Sequence, residues 1–147
     1  MNNLRDTLNT MQQLLEELKT VLTEELNQLQ RPQVNPVSLQ MLSDNKSRLL
    51  AAIGFYDEQR KTEEKQLNIS APYGLHPDLK RRWDSLTATV RVTKEMNINA
   101  YPLIELQMKK AAMLKKMVSK AGSASSLYSA DGKTQESPKG KAYNINI

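Results

Sequence analysis

The chain has 147 residues, a hydrophobic share of 39%, no cysteine and a formal net charge of +5. That is one domain's worth of chain, with less apolar content than a compact globule usually carries. The missing cysteines exclude a disulfide framework and a thiolate zinc site, and a reducing compartment, the cytoplasm, is the expected home.

No apolar run approaches the ~20 residues needed to span a bilayer. The opening Met1-Asn2-Asn3 has neither the basic nor the apolar region of a secretory signal. The N-x-[ST] matches at Asn45 and Asn68 therefore read as chance. The charge is uneven. Residues 1–106 hold 13 Lys+Arg against 14 Asp+Glu, and residues 107–147 hold 8 against 2. A basic end suits nucleic acid, an acidic membrane surface or an acidic protein, and equally a solubilising tail.

Apolar residues first recur at Leu4, Leu8, Met11, Leu15, Leu18, Leu22 and Leu29, with only Glu25 breaking the series. Steps of four and three trace the seam of a helix packed on other helices. Leu14, Val21 and Leu26 widen the stripe, and neither Gly nor Pro occurs before Pro32. The pattern predicts a helix from about Asn3 to Gln30.

Asn35 followed by Pro36 has the chemistry of an N-cap and a first helical residue. The next stripe is Leu39, Leu42, Leu49, Ile53 and Tyr56, with Lys46 and Arg60 at two seam positions. Charged residues from Asp57 to Lys65 are expected on the far side, and the helix should end near Leu67. Gly54 inside it marks either a close helix contact or a tolerated glycine.

Pro72, Gly74 and Pro77 make a loop of Asn68 to Pro77. A third helix is predicted from about Asp78, with a stripe at Leu79, Trp83, Leu86 and Val90. The stripe weakens at Thr93 and Asn97, and Pro102 should kink or break the helix. Periodicity resumes at Ile104 and lasts to about Val118. At 100° per residue, Ile104, Met108, Ala111 and Val118 share one face. Leu106, Met113 and Met117 lie roughly opposite, with Leu103 and Leu114 between. One face can be buried in a bundle; the other needs a further partner, or the whole helix lies inside a larger core. Residues 119–147 are rich in Ser, Gly and Lys, and carry too little apolar surface to offset their ordering entropy. The expected fold is all-α: an antiparallel bundle of three long helices with a flexible C-terminal tail. The expected division is a helical domain over 1–118 and a flexible basic tail over 119–147.

No catalytic constellation emerges, so an enzyme with a small-molecule substrate is not expected, and no cofactor is implied. His76 is the only histidine and stands beside Pro77, where it suits the start of a helix. No second His and no Cys can complete a metal set. The adjacent pairs Glu16/Glu17, Glu24/Glu25 and Glu63/Glu64 point about 100° apart on helices and read as solvated faces. Trp83 falls in register with Leu79 and Leu86 and is expected in the core.

The tail reads Leu127-Tyr128-Ser129-Ala130-Asp131-Gly132-Lys133-Thr134, then a basic segment over Pro138 to Lys141 and a final Asn144-Ile145-Asn146-Ile147. An aromatic anchor in such a background suits docking, because it offers large contact area with few rotors to freeze. This segment, with three long helices before it, resembles the FlgN family of flagellar type III export chaperones. The family tail usually reads L-Y-G-A-D-G-x-T, and Ser129 departs from its Gly. The resemblance implies a cytoplasmic chaperone without a cofactor. It would bind C-terminal helical segments of the hook-associated proteins FlgK and FlgL and hold them from early assembly or degradation. It would then deliver them to the cytoplasmic domain of the export gate protein FlhA, and so meet the membrane only indirectly. Tyr128 matches the family's gate-docking tyrosine, with Leu127 beside it. The candidate client surface is Leu103, Leu106, Met113, Leu114 and Met117. Two other classes stay open: a homodimeric coiled-coil protein without a client, and a nucleic-acid binder working through the basic end. The second is disfavoured, since the tail has no Arg and aromatics only at Tyr128 and Tyr143.

Overall fold

A computed structural model describes residues 1–120. Among these, three α-helices account for the fold: α1 over Asn2–Leu29, α2 over Pro36–Leu67 and α3 over Pro77–Lys120. The expected all-α class holds, and the boundaries of α1 and α2 fall within a residue of the expected ones.

Local chemistry sets the ends. The Asn35 carboxamide oxygen accepts the amides of Val37 (3.0 Å) and Ser38 (3.3 Å), which satisfies two of the orphan donors of α2. Asn68 ends α2 in the left-handed region at φ 55°, a conformation that asparagine tolerates better than most residues. The His76 carbonyl accepts the Lys80 amide at 2.9 Å, so the histidine does open α3, as expected.

Cross-helix pairs give the topology. Thr7 of α1 bonds Glu63 of α2, whereas Glu25 bonds Lys46, so α1 and α2 run antiparallel. Arg5 pairs with Asp78 and Gln12 bonds Thr89, so α1 and α3 run parallel. The bundle is therefore up-down-up, with α1 packed on both of the others. The α1 leucines at 4, 8, 15, 18 and 22 are fully buried, against Leu49 and Ile53 of α2 and Leu79, Trp83, Leu86 and Val90 of α3. Burial of this surface at about 25 cal/mol per Å² is the main stabilising term.

The polar interruptions of the stripes are buried too. Lys46 donates to both Glu25 carboxylate oxygens at 3.1 Å and to the Asn97 side-chain oxygen at 3.3 Å, which ties the three helices together in one layer. Thr93 stays in the seam because its hydroxyl donates to the Thr89 and Val90 carbonyls of its own helix, both at 3.0 Å. The expectation that residues near Asp57 form a solvated far side is wrong for Asp57, whereas Arg60 is buried as its seam position implies. Both are buried, because the Arg60 Nε donates to Asp57 at 3.0 Å and the guanidinium stacks 4.7 Å from the Trp83 ring centroid. Gly54 is a tolerated glycine: an added Cβ there meets nothing within 4 Å.

Pro102 does not break α3, which runs on through it to Lys120, two residues past the expected end. The carbonyl that loses its amide partner belongs to Ile98, a residue 51% exposed. The last buried residue of the helix is Ala100. The face of Ile104, Met108, Ala111 and Val118, expected to be buried, is covered only at its start. Ile104 is half-buried, whereas Met108, Ala111 and Val118 are exposed. The physical reason is length. α1 is 28 residues long and α3 is 44, and they run parallel from nearly level starts, so α3 outlasts its neighbour.

Candidate functional site

The bond that marks where α1 stops runs from the Gln107 carboxamide to the Leu29 carbonyl, at 3.4 Å. Beyond it α3 projects for thirteen residues, roughly 20 Å at ~1.5 Å per residue. The candidate client residues are spread along this stretch and the turn before it. Leu103 is half-buried, and Leu106, Met113, Leu114 and Met117 are 47%, 64%, 62% and 65% exposed. The helix geometry brings all five onto one arc of roughly 100°. Met108 and Val118 are also exposed, on the continuation of the bundle seam. The projection thus shows apolar side chains on two faces, and the reading of a helix buried all round in a larger core is overturned. Val37 and Met41, exposed at the start of α2, add apolar surface at the same end of the bundle. Sequence reasoning missed those two, since they stand outside the stripe of α2.

At the root of the projection the Asn97 side-chain nitrogen donates to the Tyr101 hydroxyl at 3.2 Å. Burial pushes the Tyr101 hydroxyl above the ordinary tyrosine range. The polar layer of Glu25, Lys46 and Asn97 therefore ends in a hydroxyl at the last covered turn. Past it, the polar side chains on the way to Lys120 are Glu105, Gln107, Ser119 and lysines, a surface fit for apolar contact and charge pairing.

The opposite end of the bundle is closed. Arg60 also donates to Glu64 at 2.7 Å, and the Tyr73 hydroxyl donates to the same carboxylate. Tyr73 lies edge-on to Trp83, with ring centroids 5.7 Å apart, so the α2–α3 loop is anchored in the core by a side chain that the loop pattern did not reveal. Burial, and then the bond to Glu64, raise the Tyr73 hydroxyl well above the usual tyrosine value. The arrangement binds helix to loop and leaves no open coordination or nucleophile. Trp83 is in the core, as expected. The acidic pairs split: Glu64 and Glu25 serve these internal networks, and Glu63 accepts the Thr7 hydroxyl at 2.6 Å.

One other concavity lies on the α1–α2 surface. It is an open space of about 240 Å³ between Asn3, Asp6, Thr7, Thr10, Tyr56, Gln59 and Glu63. Thr7, Gln59 and Glu63 already bond one another there, which leaves few groups to hold a ligand. No group of three or more potential metal ligands occurs among the described residues, and none of the described helices is long and apolar enough to cross a membrane. Leu127 and Tyr128, the expected docking pair, lie outside the described residues, as does the expected tail apart from Ser119 and Lys120.

Fold and surface together define an all-helical bundle whose longest helix outruns its neighbours and leaves an apolar end open. The FlgN protein family matches residues 1–136, and the chain belongs to that family, whose curated members are named for flagella synthesis. It is 30% identical to the flagella synthesis protein FlgN of Salmonella typhimurium over 140 residues, which cover 95% of this chain and 96% of that protein. It is 29% identical to the FlgN of Escherichia coli K12 over the same share of each chain. Against the FlgN of Yersinia enterocolitica serotype O:8 the identity is 37% over 83 residues, 56% of each chain. No solved structure matches significantly.

Proposed function

We propose that this chain is a type III export chaperone of flagellum assembly. It holds the C-terminal helical segments of the hook-associated proteins FlgK and FlgL on the projecting part of α3. It then hands them to the cytoplasmic domain of the export gate protein FlhA through Leu127 and Tyr128. The observation that carries the proposal is the uncovered arc of Leu106, Met113, Leu114 and Met117. An isolated helix that exposes this much apolar surface is stabilised when an amphipathic helix lies along it. Three methionines lie between Leu106 and Met117 (at 108, 113 and 117), and their flexible thioethers suit a surface that accepts more than one client sequence.

The test is calorimetry of wild type and the double variant Met113→Lys/Met117→Lys against a FlgK or FlgL C-terminal segment. The variant should keep its helicity and lose ~2 kcal/mol or more of client affinity, about thirtyfold. Unchanged affinity with unchanged helicity would refute the surface. In the same titrations Tyr128→Ala should bind client normally and, client-loaded, lose capture by the FlhA domain. Loss of client binding with gate binding intact would reverse the roles of helix and tail.

A further inference from the structure

The projecting part of α3 is as one-sided in charge as it is apolar. From Leu106 to Lys120 the sequence holds five lysines and no Asp or Glu. At 100° per residue, Lys109, Lys116 and Lys120 fall at i, i+7 and i+11 and form a ridge along one edge of the arc of Leu106, Met113 and Met117. Lys110 stands within the wider arc that Leu103 and Leu114 complete. All four are exposed, and none of the ion pairs described for residues 1–120 involves them. The rest of the bundle is built differently, with acidic and basic side chains interleaved and paired, as in Arg5–Asp78, Lys61–Glu58 and Lys80–Asp84.

Resting on the client-binding role proposed above, we propose that the segment received here is an acidic amphipathic helix. Its apolar stripe lies on Leu103, Leu106, Met113, Leu114 and Met117, and Asp or Glu residues along one edge of that stripe face Lys109, Lys116 and Lys120. A further carboxylate near its centre meets Lys110. Charge selects this occupant over a second copy of the chain, because pairing two projections sets lysine against lysine with no acid on either side. It also selects against a basic or neutral amphipathic helix, which would bury Lys110 without a partner.

The test is fluorescence anisotropy of the full chain with two synthetic helical peptides that share one leucine stripe. One carries Glu along the stripe's edge and at its centre, and the other carries Gln there. The Glu peptide should bind about tenfold more tightly, from a few exposed charge pairs. That advantage should shrink as salt rises from about 0.05 to 0.5 M. Lys109→Glu/Lys116→Glu/Lys120→Glu should reverse the preference while leaving the melting temperature unchanged. Equal binding of the two peptides, with FlgK or FlgL segments still binding, would overturn the charge assignment alone. Failure of peptides and FlgK or FlgL segments alike would overturn the client role beneath it. A dimer in sedimentation equilibrium that excludes the Glu peptide would give the surface to a second copy. Equally tight binding of a single-stranded oligonucleotide of the same charge would give it to nucleic acid. Either result contradicts the proposal.

Discussion

Between Pro77 and Ala100, α3 sets seven buried side chains against its neighbours; between Leu106 and Lys120 it buries none. Both stretches are helical, and both carry apolar residues at steps of three and four. The difference lies in what stands beside them. α1 ends at Leu29, opposite Gln107, so among the described residues the later turns have no wall to pack on. Periodicity marks a face that can be covered; the lengths of the neighbouring helices decide whether this chain covers it. The same amphipathic pattern serves folding in one half of the helix and is free for binding in the other.

The largest effect that would break this contrast is expected at the closed end. Arg60→Ala leaves Asp57, 2% exposed, without its main partner and uncovers the Trp83 ring. Urea denaturation should show a loss of about 3–5 kcal/mol, as for other broken buried pairs. A loss under about 1 kcal/mol would mean that the network is solvated and that the closed end is not closed. Next comes one chemical change made in both regions. Leu18→Ala, at a fully buried position, should cost about 2–5 kcal/mol. Leu114→Ala should fall within about 0.5 kcal/mol of wild type. Similar costs at the two sites would show that the projection is covered in solution by something within the chain.

The smallest effect is a pH dependence. The folded state raises the Tyr73 hydroxyl above its unfolded value of 10.0 by burial and by the bond to Glu64. A group raised in this way contributes stability that is fully present below the unfolded value and is lost as pH rises through the folded one. Tyr73→Phe should therefore be less stable than wild type by about 1 kcal/mol near neutral pH. The gap should narrow as denaturation is repeated above about pH 10. A gap that stays constant across that range would remove the hydrogen bond from the account.

The helices were legible because their signals are local. Asn35-Pro36 fixes the start of α2 through a cap whose chemistry is visible in two letters, and the leucine spacing of α1 shows which face is inward. The polar members of the core were harder to see. Glu25, Lys46 and Asn97 look like three separate flaws in three stripes, and only the up-down-up register brings them to one level. Tyr73 gave no signal at all, since a loop has no period, and its burial follows from Trp83 and Glu64 arriving on either side. The candidate surface was half legible. Leu106, Met113 and Met117 stood out as a second apolar face, but the exposure of Met108 and Val118 depends on where α1 ends relative to α3. That comparison of helix lengths was available in the sequence once the direction of each helix was fixed.

The most direct test of the central claim is hydrogen exchange on the full chain, free and saturated with a FlgK or FlgL C-terminal segment. Slow exchange is expected through the buried stretches of α1, α2 and the first half of α3 in both states. Protection gained on client binding is expected between about residues 104 and 120, the stretch that reaches past the end of α1. Protection gained instead along the α1–α2 surface around Thr7, Tyr56 and Glu63, with residues 104–120 unchanged, would contradict it.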